Sequence, residues 1–160
     1  MCGYCGCQEL AAIAELTAEH DAVVTLSGQV RRALATGDLD AAADGARSIG
    51  AVMTPHTAVE EGALFPAMEG EFGEHVQRLL GEHRLVEAVL AESVEGTPTD
   101  PTWPQRMGEM LDLLREHILK EEDGVFPAAL TVLEPAQWER MATLRAQVGT
   151  HALVATSADR

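Results

Sequence analysis

The sequence is poor in aromatic residues, and this limits how its core can be built. Phe, Trp and Tyr together make up 4% of the 160 residues, whereas hydrophobic residues as a whole make up 46%. A chain of this length and apolar content can bury one substantial core. Ala, Leu, Val and Met must fill that core, as they do in helix bundles.

Basic residues are also scarce. The chain has 11 Lys and Arg against 26 Asp and Glu, which gives a formal net charge of −15. This charge disfavours nucleic acid and anionic membrane surfaces as partners. No apolar run approaches the ~20 residues that span a membrane, and the first residues lack the basic and apolar regions of a signal peptide. We therefore expect a cytoplasmic protein that binds neither nucleic acid nor membrane.

Cysteine is confined to the first seven residues, at Cys2, Cys5 and Cys7. An odd count in a chain expected to be intracellular argues against a disulfide framework. Three alternatives stay open for this C-x-x-C-x-C segment. It is a tail without a role in the chemistry, a thiol–disulfide relay, or a separate metal site.

One stretch of the chain recurs. Residues 56–66 read HTAVEEGALFP and residues 117–127 read HILKEEDGVFP, so His, Glu, Glu, Phe and Pro return 61 positions later. In each copy a histidine precedes a glutamate by four residues, a spacing that places both side chains on one face of a helix. A duplicated unit of this kind predicts a single site built from two similar halves.

Apolar residues spaced three and four apart predict an all-α fold. Long helices are expected at about residues 17–35, 39–64, 72–94 and 103–124, with a short fifth helix at 135–148. Thr17 and Asp38 are the predicted N-caps of the first two helices. Pro55 is expected to kink the second helix. The Phe-Pro pairs at 65–66 and 126–127 are expected to end the second and fourth helices.

Short connections between these helices make successive helices antiparallel. The expected architecture is therefore an up-down-up-down antiparallel four-helix bundle with a short C-terminal fifth helix. Residues 16–150 would form this bundle. Residues 1–15 would be a Cys-rich N-terminal tail with a short helical lead-in, and residues 151–160 a C-terminal tail.

Polar residues interrupt the apolar face of all four predicted long helices. Each face carries one histidine and three carry a glutamate, in the set His20, His56, Glu60, His83, Glu87, His117 and Glu121. One such histidine alone is more often hydrogen-bonded in a core than bound to a ligand. A set of seven buried histidines and glutamates needs another explanation. Buried glutamates are rare unless they are paired or bound to a metal, and uncompensated buried charges cost several kcal/mol each. A bound cation cluster removes that cost.

The set contains imidazoles and carboxylates but no thiolate. Nitrogen and oxygen donors of this kind suit iron or manganese, and suit zinc less well, since seven ligands exceed one tetrahedral site. Carboxylates from the two repeats can each bridge two metals. The ferritin-like pattern differs, because it has Glu-x-x-His pairs at spacing three and more carboxylate.

The residues Glu19-His20, His56-x-x-x-Glu60, Glu82-His83 and His117-x-x-x-Glu121 resemble the hemerythrin-like (HHE) family in order and spacing, over most of the chain. The resemblance implies a four-helix bundle with two non-haem iron ions and a bridging oxo or hydroxo group. It implies that His20 and His56 bind one iron, that His83 and His117 bind the other, and that Glu60 and Glu121 bridge them.

The chain departs from the oxygen-carrying hemerythrins at two points and is similar to the bacterial H–HxxxE–H–HxxxE variant. The last helix has His117-x-x-x-Glu121 where the carriers have a His-x-x-x-x-Asp spacing, and Glu87 stands where the carriers have a histidine. Glu87 is predicted either to bind the iron of His83, to accept a histidine N–H, or to face solvent. As a ligand it would stabilise ferric iron and favour redox turnover over oxygen carriage.

Other residues near these motifs have more modest predicted roles. His75 is expected at the surface. Glu61 and Glu122 are expected either to be solvated or to hydrogen-bond to the site. Phe65 and Phe126, each five residues after a bridging glutamate, are expected to cover one end of the site as a dry lid.

Three functions remain open for such a chain. The first is an oxidoreductase of peroxidase or catalase type that reacts with hydrogen peroxide, nitric oxide or dioxygen, with an unknown electron donor. The second is reversible oxygen binding, or oxygen or iron sensing, without turnover. The third is iron storage, for which one buried pair of ions per chain is poorly suited. The sequence shows no nucleophile triad or phosphate loop, so any chemistry would belong to the metal.

Overall fold

The computed structural model describes residues 10–155, and the regular structure of this range is helical. Its helices are α1 (Ala11–Thr36), α2 (Leu39–Val59), α3 (Phe65–Ala91), α4 (Trp103–Lys120), α5 (Phe126–Val132), α6 (Pro135–Val148) and α7 (Ala152–Ala155), with π-helical turns at Glu60–Leu64 and Glu121–Val125. None of the described helices has the length and apolar content that crossing a membrane requires. Cys2, Cys5 and Cys7 lie outside the described residues.

The four long helices form the predicted bundle. Helix α1 packs on α2, α3 packs on α4, and the contacts of α2 with α3 and of α1 with α4 close the ring, while α6 lies against α1 and α2. The core has two apolar clusters, one around Ile49, Trp103 and Leu111 and the other around Ile13 and Phe126. The histidines lie between these clusters, so the polar level of the bundle is closed by apolar residues above and below.

The first helix begins earlier than its sequence predicts. Helix α1 starts at Ala11, Leu10 provides no side-chain cap, and Thr17 is a buried residue inside the helix. The predicted cap at Thr17 is therefore wrong, and the helical lead-in expected before it is the first part of α1 itself, because the fully buried Ile13 anchors this additional turn to the core. The predicted N-cap of the second helix is confirmed, because the Asp38 side chain accepts a hydrogen bond from the Ala41 amide at 3.0 Å.

The Phe-Pro pairs do not end their helices, which corrects another prediction. The chain stays helical after Pro66, as the first part of α3, up to a kink at Phe72 with φ −124° and ψ 25°. It also stays helical after Pro127, as α5, up to Val132. Each proline follows a π-helical turn and lies in the first turn of the new α-helical segment. A proline is tolerated there because its missing N–H is not needed. Pro55 lies inside helix α2, which does not end there, and the kink expected at this residue stays a prediction.

Candidate metal centre

Six of the seven predicted site residues converge at one level of the bundle. Helices α1 to α4 contribute one histidine each, and each π-helical turn contributes its first glutamate. None of the six is more than 1% exposed. Their donor atoms form two groups, each within 4.8 Å: His20, His56, Glu60 and Glu121, and His83, His117, Glu60 and Glu121. We call His20 with His56 the first half-site and His83 with His117 the second half-site.

Each imidazole is oriented by a hydrogen bond between its Nδ1 and a carboxylate from another helix or turn. The pairs are His20–Glu122 at 3.1 Å, His56–Glu19 at 3.0 Å, His83–Glu61 at 2.8 Å and His117–Glu82 at 2.9 Å. Because a carboxylate only accepts, Nδ1 carries the proton in the neutral ring and Nε2 keeps a lone pair. Carboxylate–histidine pairs of this kind fix the tautomer of metal-binding histidines.

The two central glutamates each contact one histidine of each half-site. The contacts to Nε2 are Glu60–His56 at 3.2 Å, Glu60–His83 at 3.4 Å, Glu121–His20 at 3.1 Å and Glu121–His117 at 2.9 Å. The carboxylates thus lie between the two half-sites, as the bridging positions of a two-metal site require.

The close contacts between these Nε2 atoms and the central glutamates are not hydrogen bonds. Nε2 of His20 and of His56 and both carboxylate oxygens of Glu60 and of Glu121 are buried and form no hydrogen bond. In the second half-site, the Nε2 atoms of His83 and His117 are 3.0 Å apart, although both Nδ1 atoms already donate to carboxylates. Two lone pairs at this distance repel each other, so the contact needs either a proton on one Nε2 or a metal ion bound by both. The donor set therefore fits bound metal ions.

Burial and the neighbouring charges also shift the pKa values of the histidines and glutamates at this centre. Burial lowers the pKa of His56, but the Glu60 and Glu19 carboxylates outweigh burial and raise this pKa to about 10. Burial raises the pKa of Glu60, but His56 and His83 outweigh it and hold this pKa well below its usual range. The carboxylates thus stabilise positive charge at the centre, whether protons or metal ions supply it.

The π-helical turns place a phenylalanine over each half-site. The amide of Phe65 and that of Phe126 each donate to the carbonyl of the glutamate five residues earlier. One additional residue in a turn rotates the following side chains by about 100° round the helix axis. Phe65 then stacks on His83, and Phe126 on His20, each with ring centroids 5.6 Å apart. Both rings are buried, and they cover the site as predicted.

The structure does not bring Glu87 to the site. Its side chain is exposed and lines a groove that Arg47 also lines, between α2 and α3. The buried residues that follow His83 on α3 are Val86 and Leu90, so position 87 turns away from the centre. The prediction that Glu87 lies on the apolar face is wrong, the structure agrees with the alternative that it faces solvent, and the argument that it stabilises ferric iron no longer applies.

Sequence reasoning missed two of the four carboxylates that orient the imidazoles. The sequence marks Glu19 and Glu82 only as neighbours of histidines, whereas their hydrogen bonds cross to the helices α2 and α4. For Glu61 and Glu122 the alternatives were solvation and hydrogen bonding, and the structure shows hydrogen bonding. The signal was in the sequence, since a glutamate directly precedes both His20 and His83, and a Glu-Glu pair begins both at Glu60 and at Glu121.

The outer glutamates Glu19 and Glu82 have different cationic partners. Arg145 of α6 donates from Nη1 to Oε1 of Glu19 at 2.7 Å and from Nη2 to Oε2 at 2.8 Å. Lys120 of α4 donates to Oε1 of Glu82. The Arg145 residue is 7% exposed, whereas the Lys120 side chain is 32% exposed. Neither contact was predicted from the sequence.

A cavity of about 400 Å³ between α1 and α4 reaches the first half-site. His20 and Glu122 line it together with apolar residues such as Val24 and Leu114. His20 itself is 1% exposed, so its ring closes the cavity on the side of the buried centre. The size of the cavity suits a small ligand.

Comparisons with known proteins agree with this geometry. The hemerythrin HHE cation-binding domain matches residues 11–129, which run from the start of α1 into α5. A DNA nickase of Nostoc sp. strain PCC 7120 is 28% identical over 92 residues, which cover 57% of this chain and 26% of that protein. The match therefore spans about a quarter of the relative's length. No solved structure matches the chain.

Proposed function

We propose, since the chain belongs to the hemerythrin HHE cation-binding family, that it holds two iron ions and reacts with a small oxidant. One ion would be bound by each half-site, with Glu60 and Glu121 bridging. The observation that carries this proposal is the pair of buried donor groups that share both glutamates. The alternative is reversible oxygen binding, or sensing, without turnover.

The ligand count supports a reactive centre. Each of the two donor groups would supply one ion with two imidazoles and with the two carboxylates that the groups share. Iron in a nitrogen and oxygen environment commonly takes up to six ligands. Each ion would thus keep positions for an exogenous ligand, and a small molecule would approach the first half-site from the cavity that His20 lines. A pair of iron ions would supply two-electron redox chemistry with hydrogen peroxide, nitric oxide or dioxygen.

The protein's own residues would prepare this centre in three ways. Four carboxylates accept from Nδ1–H of the four imidazoles and so direct each Nε2 towards the centre. They belong to Glu19, Glu61, Glu82 and Glu122. The Phe65 and Phe126 rings exclude water from two imidazoles. The cavity beside His20 would hold a small ligand. These features serve turnover and reversible binding equally, so with Glu87 outside the centre the decision between them depends on measured turnover.

Peroxide is the first substrate to test, because its dismutation needs no electron donor. One hydrogen peroxide is reduced to water while a second is oxidised to dioxygen, so atoms and electrons balance without another reactant. Nitric oxide reduction, or a peroxidase reaction, would require an external donor.

The decisive experiment combines metal analysis with an oxygen-evolution assay on the full chain expressed with ample iron. We expect about two iron ions per chain from the ligand count, and dioxygen release from peroxide that metal removal abolishes. One ion per chain, or a stable preference for zinc, would refute the two-iron centre. Two ions without peroxide turnover would favour the binding alternative.

Matched variants separate the centre from its surroundings. Glu60→Ala removes a shared carboxylate and should lower iron content, whereas Glu87→Ala removes an exposed one and should leave iron content and turnover unchanged. His75 is half-buried and belongs to neither donor group, so His75→Ala is the control for His83→Ala. A loss of iron in Glu87→Ala would restore the ligand role that the structure argues against.

Nicking of DNA is not proposed for this chain. That name belongs to a relative of which the match covers only 26%, and a net charge of −15 disfavours contact with a phosphate backbone.

A further inference from the structure

Arg145 connects the site to a helix beyond the segment that the family match covers. The match ends at residue 129, whereas Arg145 lies on α6. Its guanidinium reaches across to Glu19 of α1, which is 0% exposed. Arginine and glutamate are rarely buried to this degree unless they are paired, and here each satisfies the charge of the other.

The geometry of this pair bears directly on a histidine of the first half-site. Arg145 binds both oxygens of Glu19, the planar two-point contact that arginine makes and lysine cannot. The oxygen that accepts from Nη2, Oε2, also accepts from Nδ1 of His56 at 3.0 Å. Arg145 therefore fixes the plane of the carboxylate that orients His56.

The second half-site lacks this two-point contact. There Lys120 binds Oε1 of Glu82, while the other oxygen, Oε2, accepts from Nδ1 of His117. A single contact from a flexible side chain lets the carboxylate rotate, and solvent reaches this pair because the Lys120 side chain is 32% exposed. The two histidines thus have similar partners that are held with different rigidity.

We infer that Arg145 is a positioning residue that acts through Glu19 and His56 and makes the first half-site the one that retains its metal longer. This inference rests on the proposed two-metal centre. Orientation of a ligand by its hydrogen-bond partner typically changes metal affinity by about 10- to 100-fold. The two ions of one chain should therefore leave at different rates.

A purely structural role for Arg145 is the competing explanation. Its Nη1 also donates to the Gly149 carbonyl at 3.0 Å, which helps to end α6, and its Nε lies 3.4 Å from Glu15. These contacts anchor α6 whether or not a metal binds. The test must therefore measure the metal and His56, and not only the stability of the fold.

The first measurement is iron release from the iron-loaded full chain during challenge with an excess of chelator. We expect one fast and one slow phase of about one ion each, by the ligand count. Arg145→Met keeps an apolar stem and should accelerate the slow phase by about 10- to 100-fold. Arg145→Lys should restore it in part, and the control Lys120→Met should change only the fast phase.

The second measurement needs no metal. In the metal-free full chain, the Nδ1 proton of His56 is followed by NMR and assigned by its loss in His56→Gln. Arg145→Met should accelerate its exchange with solvent, whereas Lys120→Met should not. If Arg145→Met unfolds the chain, the double variant Glu19→Gln with Arg145→Met removes both charges, keeps the packing, and should show the same rapid exchange.

Distinct results would overturn the two proposals. A slow phase that is unchanged in Arg145→Met, or accelerated equally in Lys120→Met, would leave Arg145 as an anchor for α6 only. Slow exchange of the His56 proton in Arg145→Met would do the same. An unaltered chain that holds fewer than two ions would refute the two-metal proposal, and the NMR result would still decide whether Arg145 positions His56.

Discussion

The two half-sites use the same residue types in the same order, yet they are enclosed differently. In each, one imidazole is hydrogen-bonded to a glutamate that directly precedes the other histidine, as in His56–Glu19 and His117–Glu82. The side chain of Glu19 is 0% exposed and that of Glu82 is 10% exposed. The internal repeat therefore specifies the donors twice, while their surroundings are specified separately.

This difference shows that symmetry of sequence does not impose symmetry of environment. Helix α6 packs on α1, α2 and the first π-helical turn, and its Arg145 neutralises Glu19 in the interior. The Glu122 side chain of the first half-site is 13% exposed, against 39% for its counterpart Glu61 in the second. A centre with two equal donor sets is thus expected to have one rigid half and one more solvated half.

Removal of both metals should have the largest effect, because it acts on both half-sites at once. The Glu60 and Glu121 carboxylates are 0% exposed, and without a cation their charge must be met by protons or water, at a cost of several kcal/mol. The metal-free protein should therefore melt well below the iron-loaded protein in a calorimetric scan. Equal melting temperatures would contradict metal binding among these buried residues.

Loss of a shared carboxylate should be more severe than loss of a histidine. Glu60 contacts both half-sites, so Glu60→Ala should lower iron content at both, towards less than one ion per chain. His117→Ala should remove mainly one of about two expected ions, because this histidine serves one half-site. Metal analysis of the two variants after identical loading checks this, and identical losses would show that Glu60 does not bridge.

The outer carboxylates should differ in effect according to their burial. Glu122→Gln should weaken iron retention at its half-site by about 10- to 100-fold, the usual range for partners of metal-binding histidines. Glu61→Gln should have the smaller effect, since water can replace a partner that is 39% exposed. Iron release rates measure both, and a larger effect at Glu61 would invert the comparison.

The smallest effect is expected from exchanging the third residues of the two π-helical turns. A Cβ added at Gly62 would lie 2.6 Å from Cδ2 of Leu144 on α6, whereas its counterpart Asp123 is exposed. Gly62→Asp should therefore destabilise the fold through overpacking by about 1 kcal/mol, the low end of the usual range, because the end of the half-buried Leu144 side chain can move aside. Asp123→Gly should cost about 0.3 kcal/mol, the difference in helix propensity between the two residues. Denaturant unfolding measures both changes, and equal values would show that α6 yields freely.

Much of the site could be predicted because its pattern is local. The His-x-x-x-Glu spacing fixes two donors on one helix face wherever that helix lies, and four histidines on four apolar faces must meet if the faces form one core. All six residues that the structure brings together were predicted in this way. The family match over residues 11–129 confirms the resemblance that the same residues carry.

Glu87 shows where local pattern becomes ambiguous. Positions three and four after His83 are both neighbours of it on a helix, and the spacing alone does not choose between Val86 and Glu87. Packing of α3 against α2 and α4 chooses Val86, which is 1% exposed. The rotation of a helix about its axis is set by all its contacts together. One residue on the expected apolar face does not reveal this rotation.

The amino-acid sequence by itself determined the helical bundle, its polar level and the six converging donors, because each follows from spacing along a helix. Tertiary structure decided which carboxylates orient the imidazoles, how the π-helical turns place Phe65 and Phe126, and that Arg145 holds Glu19. The Arg145–Glu19 pair joins residues 126 positions apart. No local periodicity relates positions so distant, and only the packing of α6 on α1 and α2 brings them within hydrogen-bond distance.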